Sequence, residues 1–187
     1  MKSQTILMLI GLLACLTSNS FGQTYSLGKN SNVINWKGYG EVGGFTQEGT
    51  ISIKSSTLTV DKNGLYSGEV IIDMKSISNK DKTLVKHLKN TDFFDVKKFP
   101  TTKMSFSQTE GGSVSGELNI KGVSGNLSFI PSIKKVGDQI MVTGKATIDR
   151  TYYGIKYNSS SYFQDLGSYA IKNDFDIAFQ LVYTLDP

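Results

Sequence analysis

The sequence is short of the residue types on which most metal, redox and nucleic-acid sites depend. Its 187 residues include one cysteine, Cys15, one histidine, His87, and one arginine, Arg150. A single histidine excludes a histidine-rich metal site, and a single cysteine excludes an internal disulfide. Proteins that recognise nucleic acids usually rely on arginine for bidentate contacts, whereas nearly all the basic residues here are lysines. We therefore expect no metal, no disulfide and no nucleic-acid partner.

Motifs of common enzyme classes are also missing. The sequence has no phosphate-binding glycine loop, no Gly-x-Ser-x-Gly and no His-Glu-x-x-His. A Ser-His-Asp triad would have to use His87, which lies among lysines with no nucleophile at a diagnostic spacing. A histidine that bonds to a nearby loop is the simpler interpretation. We expect a protein without catalysis or cofactor, and the alternative is a hydrolase or isomerase that depends on His87 or Asp149.

The N-terminus has the layout of an export signal. Lys2 precedes an apolar run over residues 6–16. Polar residues follow and end in Ser20-Phe21-Gly22, with small residues at the positions that a signal peptidase reads. The run is too short for a membrane-spanning helix, which needs about 20 apolar residues. The pattern predicts a cleaved signal peptide over residues 1–22 and a protein that is periplasmic or secreted.

A second interpretation of the same segment involves the cysteine. Leu12 to Cys15 is similar to a bacterial lipobox, which would place a lipid anchor on Cys15. Plain secretion is the expectation and the lipoprotein is the alternative. In either case residues 23–187 form a single predicted domain, with no internal repeat or linker.

Apolar and polar residues alternate along most of the chain from Thr50 onward, as in half-buried β-strands. We assign Ile51–Ile53 and Leu58–Val60 to two different strands, and residues 65–74 to the strand after the Asn-Gly turn. Small residues, Gly144 and Ala146, occupy the middle of a long later strand. About eight or nine strands with short glycine turns predict an all-β fold, either an antiparallel barrel or a sandwich.

One segment departs from this alternation and predicts a short α-helix around residues 80–90. Asn79 is a candidate N-cap and Asp81 suits the first turn. Leu84, Val85 and Leu88 fall on one helical face. Such a helix would lie over a barrel end or along a sheet edge.

Tyrosines are concentrated before the last strand, and they allow two interpretations. Exposed, they would suit a glycan-binding or protein-binding surface; packed inward, they would close one end of a barrel. Arg150, in the same part of the chain, also allows two interpretations. It either bonds backbone carbonyls or a carboxylate at the barrel rim, or it contacts the polar head of a ligand. The tyrosine-rich segment consists of Tyr152, Tyr153, Tyr157, Tyr162, Phe163 and Tyr169.

Three motifs in order resemble the YceI-like family of bacterial exported proteins. The first runs from His87 to Pro100 and contains Asp-Phe-Phe-Asp-Val. The second, Gly116 to Ser124, resembles the family's Gly-x-Leu-x-Ile-x-Gly strand and turn. The third, Ile148 to Ile155, resembles its Asp-Arg-x-x-aromatic-Gly segment. Residues 43–49 fit the family's opening region only loosely, and its usual histidine-bearing strand is missing there.

The resemblance implies an extended, lipocalin-like antiparallel barrel of about eight strands with a long apolar tunnel. It implies binding of an isoprenoid lipid, such as a quinone or a prenyl phosphate, in the periplasm, without catalytic residues. A homodimer and transient membrane contact are further expectations. An envelope module that binds a protein or glycan through the tyrosine-rich segment is the alternative.

Alternation selects the side chains that would face such a tunnel. A shift of one residue in register would turn a whole strand outward. Arg150 is the candidate contact for the lipid head group. The predicted tunnel residues are Phe106, Leu118, Ile120, Leu127, Phe129, Val142, Ile148, Phe175, Ile177, Phe179 and Leu181.

Overall fold

The computed structural model describes residues 22–29 and 32–187. Residues 1–21, which include most of the predicted signal peptide and Cys15, lie outside the described residues. The strands are β1 (Gln23–Leu27), β2 (Val33–Gly40), β3 (Thr46–Val60), β4 (Tyr66–Ser78), β5 (Thr101–Gln108), β6 (Val114–Ile120), β7 (Val123–Phe129), β8 (Ser132–Val136), β9 (Gln139–Asp149) and β10 (Ile171–Leu185). The helical elements are α1 (Lys82–Leu88) and a 3₁₀ turn (Gly167–Tyr169).

Ten antiparallel strands form one sheet around two long strands, β3 and β10. Both β1 and β2 pair with β3 and with β10, at opposite ends of these long strands. Two short strands therefore occupy one strand position between β3 and β10. This arrangement covers both long strands along most of their length.

A similar division occurs on the other side of the barrel. Pro131, which has no N–H to donate, separates β7 from β8. β8 pairs with the first half of β9, and β7 lies beside β9 as well. The sheet thus closes into an antiparallel barrel with about eight strand positions, which confirms the predicted all-β, lipocalin-like fold.

The two strands predicted at Ile51–Ile53 and Leu58–Val60 are in fact one strand, β3. An irregularity between Ile53 and Ser55 shifts its register against β4. The buried positions consequently change from odd numbers, at Ile51 and Ile53, to even numbers, at Ser56 and Leu58. A β-bulge breaks strict alternation in this way, and the sequence pattern looks like two strands.

Helix α1 is shorter than predicted, and its N-cap is Asp81 rather than Asn79. The Asp81 carboxylate accepts hydrogen bonds from the backbone N–H groups of Thr83 and Leu84. Asn79 is buried, accepts a bond from Asp81 N at 2.6 Å and donates to Glu48 O at 2.6 Å. Asn79 therefore fastens the start of the helix to β3. In the described part of the chain, no helix has the length and apolar character needed to cross a membrane.

One end of the barrel is packed shut. Tyr25, Leu58, Ile140 and Tyr183 are all at most 2% exposed. Ser56 Oγ donates its one hydrogen to Glu69 O at 2.9 Å. The Tyr183 hydroxyl must therefore be the donor in its 2.8 Å bond to Ser56 Oγ. Burial raises the pKa of Tyr183, and the bond to Ser56 opposes that rise. This end is a closed floor with its polar atoms bonded.

The β5–β6 pair leaves no room for a side chain at Gly116. A Cβ atom there would overlap the carbonyl oxygen of Ser105 and lie 2.8 Å from Cα of Phe106. Gly116→Ala is expected to lower the free energy of unfolding by about 2 kcal/mol or more, because backbone must move. Gly38→Ala is the matched control, since nothing lies within 4 Å of its added Cβ. Equal urea midpoints for the two variants would contradict this account of the pairing.

Candidate functional site

The barrel encloses an apolar cavity of about 1010 Å³. Its wall is formed by inward-facing side chains of the sheet, and helix α1 covers part of one end. Leu58 and Tyr183 line its deep end and are almost inaccessible to solvent. The volume lies at the upper end of the range of about 300–1,000 Å³ for small-molecule sites. The cavity is the candidate functional site.

All eleven predicted tunnel residues line this cavity. Four come from β10, whose alternate side chains Phe175, Ile177, Phe179 and Leu181 face inward. The others come from β5, β6, β7 and β9, in the same inward register. Their contacts with a ligand remain a prediction. These wall residues are Phe106, Leu118, Ile120, Leu127, Phe129, Val142 and Ile148.

Small residues in β9 make room for large ones in β10. Gly144 pairs with Phe179, and a Cβ atom on Gly144 would lie 2.5 Å from that ring. The Phe179 ring also meets Phe129 edge to face, with centroids 5.7 Å apart. The Phe179 ring therefore fills the space beside Gly144, and this glycine adds no open volume to the cavity.

The opposite wall was not identified from the sequence. It comes from β2, β3, β4 and α1, where bulges and glycines interrupt the alternation. The strand predicted over residues 65–74 carried a usable signal, because its inward residues are apolar at every second position. The missed apolar residues of these elements are Ile34, Trp36, Ile51, Leu58, Tyr66, Val70, Ile72, Met74, Ile77, Leu84 and Leu88. Met104, Val114, Ile133 and Tyr183, on the other strands, were missed as well.

The cavity opens at the end near α1, between the β2–β3 turn and the 3₁₀ turn. The lining there includes Val42, Phe45 and Tyr169, which are 57%, 60% and 77% exposed. Glu41 N donates to Ala170 O at 2.9 Å, so the two turns are held together. We call Val42, Phe45 and Tyr169 the apolar rim. Through this rim the apolar lining of the cavity continues to the solvent-exposed surface of the protein.

Arg150 is buried at this end and lines the cavity. Its guanidinium donates to the carbonyl oxygens of Lys172, Ile155 and Ile171 at 3.0, 2.8 and 3.0 Å. Burial lowers the pKa of Arg150, while the charges of Asp149 and Glu41 act in the opposite direction. The bonds to carbonyls match the first of the two interpretations offered for this residue. Arg150 fixes the loop after β9 to the start of β10.

His87 also lines the cavity, on the inner side of α1. Its ring lies 4.5 Å from Tyr157 and 5.2 Å from Phe93, centroid to centroid. Its Nε2 is buried and has no hydrogen-bond partner among the residues that the structure describes. The expected bond to a nearby loop is therefore not made through this nitrogen. The ring serves as part of an aromatic wall.

The tyrosine-rich segment divides between the two interpretations. Tyr153 is 4% exposed, and Tyr157 lines the cavity. The remaining aromatic residues of the segment are 48% to 77% exposed. Packing thus accounts for the inner tyrosines and leaves an exposed aromatic surface beside the mouth. The exposed members are Tyr152, Tyr162, Phe163 and Tyr169.

A closed antiparallel barrel with a hollow, mainly apolar interior defines a lipocalin-like class of protein. Within that class the chain belongs to the YceI-like domain family, whose family model matches residues 25–183. A search of curated protein sequences found no significant match.

Solved structures with the same fold come from several bacteria. BcnA of Burkholderia cenocepacia is 21% identical, with a TM-score of 0.63 over 80% of this chain and 95% of that one. A polyisoprenoid binding domain of Saccharophagus degradans is 14% identical, with a TM-score of 0.66 over 88% and 99%. The YceI protein of Campylobacter jejuni is 19% identical, with a TM-score of 0.53 over 73% and 84%. Identities this low establish a shared fold.

The bonds of Arg150 lead to a stability prediction. Arg150→Lys keeps the charge but cannot reach three carbonyl oxygens at once, and unpaired buried carbonyls are costly. We expect the free energy of unfolding to fall by about 3 kcal/mol in urea denaturation at neutral pH. The control is Lys145→Arg at an exposed position of β9, with an expected change below about 0.5 kcal/mol. An Arg150→Lys variant as stable as that control would refute the structural role.

Proposed function

We propose that the protein is an exported carrier that holds a long apolar isoprenoid lipid, such as a quinone or a prenyl phosphate, inside the barrel. The single observation that carries this proposal is the cavity, apolar from its floor at Leu58 and Tyr183 to its rim. A lipid chain enters through the mouth and lies along the barrel axis. No chemical step is proposed: the described lining is mainly apolar, and the ring of His87 packs against Tyr157 and Phe93.

Burial of an apolar chain provides ample binding energy. Each buried CH₂ group contributes about 0.8 kcal/mol on transfer from water. Several isoprene units would thus approach the practical affinity limit of roughly −18 to −21 kcal/mol before costs are counted. A lipid taken from a bilayer gains much less, since it leaves an apolar environment. Reversible carriage between membranes is therefore physically reasonable.

Two comparisons support the choice of an isoprenoid. The chain belongs to the YceI-like family, and the Saccharophagus degradans relative is described as a polyisoprenoid binding domain. Passage to the periplasm, directed by residues 1–22, belongs to the same proposal. Transient contact with a bilayer would occur at the apolar rim. A homodimer remains a prediction of its own.

A second candidate is an interaction module that binds a protein or glycan. The exposed aromatic surface formed by Tyr152, Tyr162, Phe163 and Tyr169 favours it. This candidate predicts retention on a glycan array that is lost when Tyr152 and Tyr162 are replaced by serine. It also predicts that the purified protein carries no lipid.

Filling the deep part of the cavity tests the carrier proposal. Val142 lines the cavity, whereas its neighbour Met141 is 37% exposed on the outer face. Val142→Trp should lower the amount of added menaquinone that co-elutes with the protein in gel filtration by at least tenfold, because the larger ring occupies the tunnel. Met141→Trp, with the same added ring outside, should retain menaquinone like the wild type. Circular dichroism confirms folding, and full retention by a folded Val142→Trp would overturn the proposal.

The apolar rim makes a separate prediction about exchange with membranes. Phe45→Ser should slow transfer of menaquinone from phospholipid vesicles several-fold, because less apolar surface contacts the bilayer. Val136→Ser is the matched control: Val136 is 77% exposed but lies beside the β8–β9 turn, away from the mouth. Stopped-flow transfer measures both rates. An equal effect of the two substitutions would contradict a role for the rim.

A further inference from the structure

We propose that the segment between β4 and β5, residues 79–100, docks the open end of the barrel onto a membrane surface rich in anionic phospholipids. We call this segment the basic crossover. The choice of a membrane as partner rests on the proposed carrier function, but the docking itself requires no lipid in the cavity. The charge of the crossover, the face that its lysines share and its position beside the apolar rim all support this partner.

The basic crossover contains the whole excess of positive charge between residues 22 and 187. It has six lysines and three aspartates, whereas the rest of that range has thirteen basic and thirteen acidic residues. A positive segment on an otherwise balanced chain orients the molecule towards an anionic partner. The six lysines are Lys80, Lys82, Lys86, Lys89, Lys97 and Lys98.

Helix α1 carries apolar and basic residues on opposite faces. Leu84 and Leu88 line the cavity. Lys82 and Lys86 lie one turn apart on the outer face, and both are exposed. Like charges at this spacing destabilise a helix, and a helix of seven residues is marginal by itself. These lysines therefore do not serve the stability of α1, whereas an anionic partner would relieve their repulsion.

The aspartates of the crossover do not form ion pairs with these lysines. Among residues 22–29 and 32–187, the one ion pair joins Lys103 to Glu69. The Asp81 carboxylate caps α1 by accepting two backbone N–H groups. The other two aspartates, Asp92 and Asp95, follow the end of the helix. The outer face of α1 is thus available to an external anion.

Neighbouring strands do not cancel the charge of the crossover. Glu48 on β3 lies opposite Lys37 on β2 in the strand register. Asp73 on β4 accepts a hydrogen bond from the backbone N–H of Lys75, which restores the charge balance of that strand. Nζ of Lys121, in the β6–β7 turn, donates to a backbone carbonyl of the crossover at 2.8 Å and adds a further cation there.

The other side of the mouth has the opposite balance. Residues 149–176, which connect β9 to β10 and include the ends of both strands, have four acidic and three basic residues. A negatively charged surface would therefore attract the crossover side more strongly than the loop after β9. The orientation that follows brings α1 closest to the phospholipid headgroups.

The basic crossover lies directly beside the apolar rim. Asn79, its first residue, donates to Glu48 O at 2.6 Å and to Gln47 Oε1 at 3.2 Å. Both partners come just after the β2–β3 turn, which carries Val42 and Phe45 of the rim. Lysines next to exposed apolar side chains are typical of surfaces that bind at a membrane interface.

The type of cation favours a diffuse anionic surface over a single carboxylate or phosphate. Every basic residue of the crossover is a lysine. Lysine is a compact charge on a flexible stem, whereas arginine holds an anion in a fixed bidentate geometry. A layer of phospholipid headgroups presents many equivalent anions without fixed positions. A bilayer is also where the proposed cargo must be taken up.

Co-sedimentation with vesicles tests the docking in the absence of cargo. Vesicles of phosphatidylcholine alone are compared with vesicles that contain about 30% phosphatidylglycerol, in roughly 150 mM salt. The wild type should partition at least tenfold more strongly onto the anionic vesicles, because each lysine near such a surface contributes about fivefold. High salt should remove most of this difference, since it screens exposed charges.

Charge reversal locates the docking surface. Lys82→Glu combined with Lys86→Glu should lower partitioning onto the anionic vesicles at least tenfold. Lys62→Glu combined with Lys134→Glu is the matched control and should change it less than twofold. Both control lysines are exposed, and they lie near the closed end of the barrel, several Debye lengths from the mouth. Circular dichroism confirms that both double variants fold.

Two results would overturn the inference while the carrier proposal stands. One is equal partitioning of the wild type onto the two kinds of vesicle. The other is an equal loss of partitioning in the two double variants. Retention of added menaquinone is measured without vesicles and should be the same in both, because none of the four lysines lines the cavity. A wild type that docks on anionic vesicles but retains no menaquinone would support the docking surface and overturn the carrier proposal.

Discussion

The structure depends on an apolar sheet face that closes on itself without being filled. In a sandwich the inner face of one sheet packs against another, whereas here alternate side chains of β10 and β9 face a cavity of about 1010 Å³. Apolar walls without partner atoms lose dispersion contacts, and an apolar ligand restores them. Large rings such as Phe179 reduce the empty volume. Phe179 fits because its neighbour Gly144 has no side chain. A hollow apolar interior of this kind has room for an apolar ligand.

The two ends of the barrel differ, because one is packed shut and the other is open. At the floor, Tyr25, Leu58, Ile140 and Tyr183 exclude water, and the Ser56 hydroxyl satisfies the one buried phenol that lines the cavity there. At the mouth, the segments must stay in place without a packed layer above them. Arg150 achieves this with three bonds to carbonyls, so its charge organises the protein before any ligand arrives.

The sequence allowed prediction of the barrel and of eleven of the residues that line its cavity. Regular alternation in β6, β7, β9 and β10 gave both the strands and the inward register, and every tunnel residue derived from it lines the cavity. Much of the remaining lining was missed where geometry breaks the pattern. A bulge divides the alternation of β3, and β2 has glycines and a single buried residue, Ile34. The division of one strand position between β1 and β2 depends on long-range pairing, which no local signal encodes. The helix cap was misplaced by two residues because Asn79 and Asp81 have similar capping chemistry.

The central claim is that the cavity holds an isoprenoid lipid in the cell. The most direct measurement is solvent extraction of the protein, gently purified from its native host, followed by mass spectrometry of the extracted lipids. The expected result is one isoprenoid species, close to one molecule per barrel. A protein that yields no isoprenoid, and that takes up none when it is added, would contradict it.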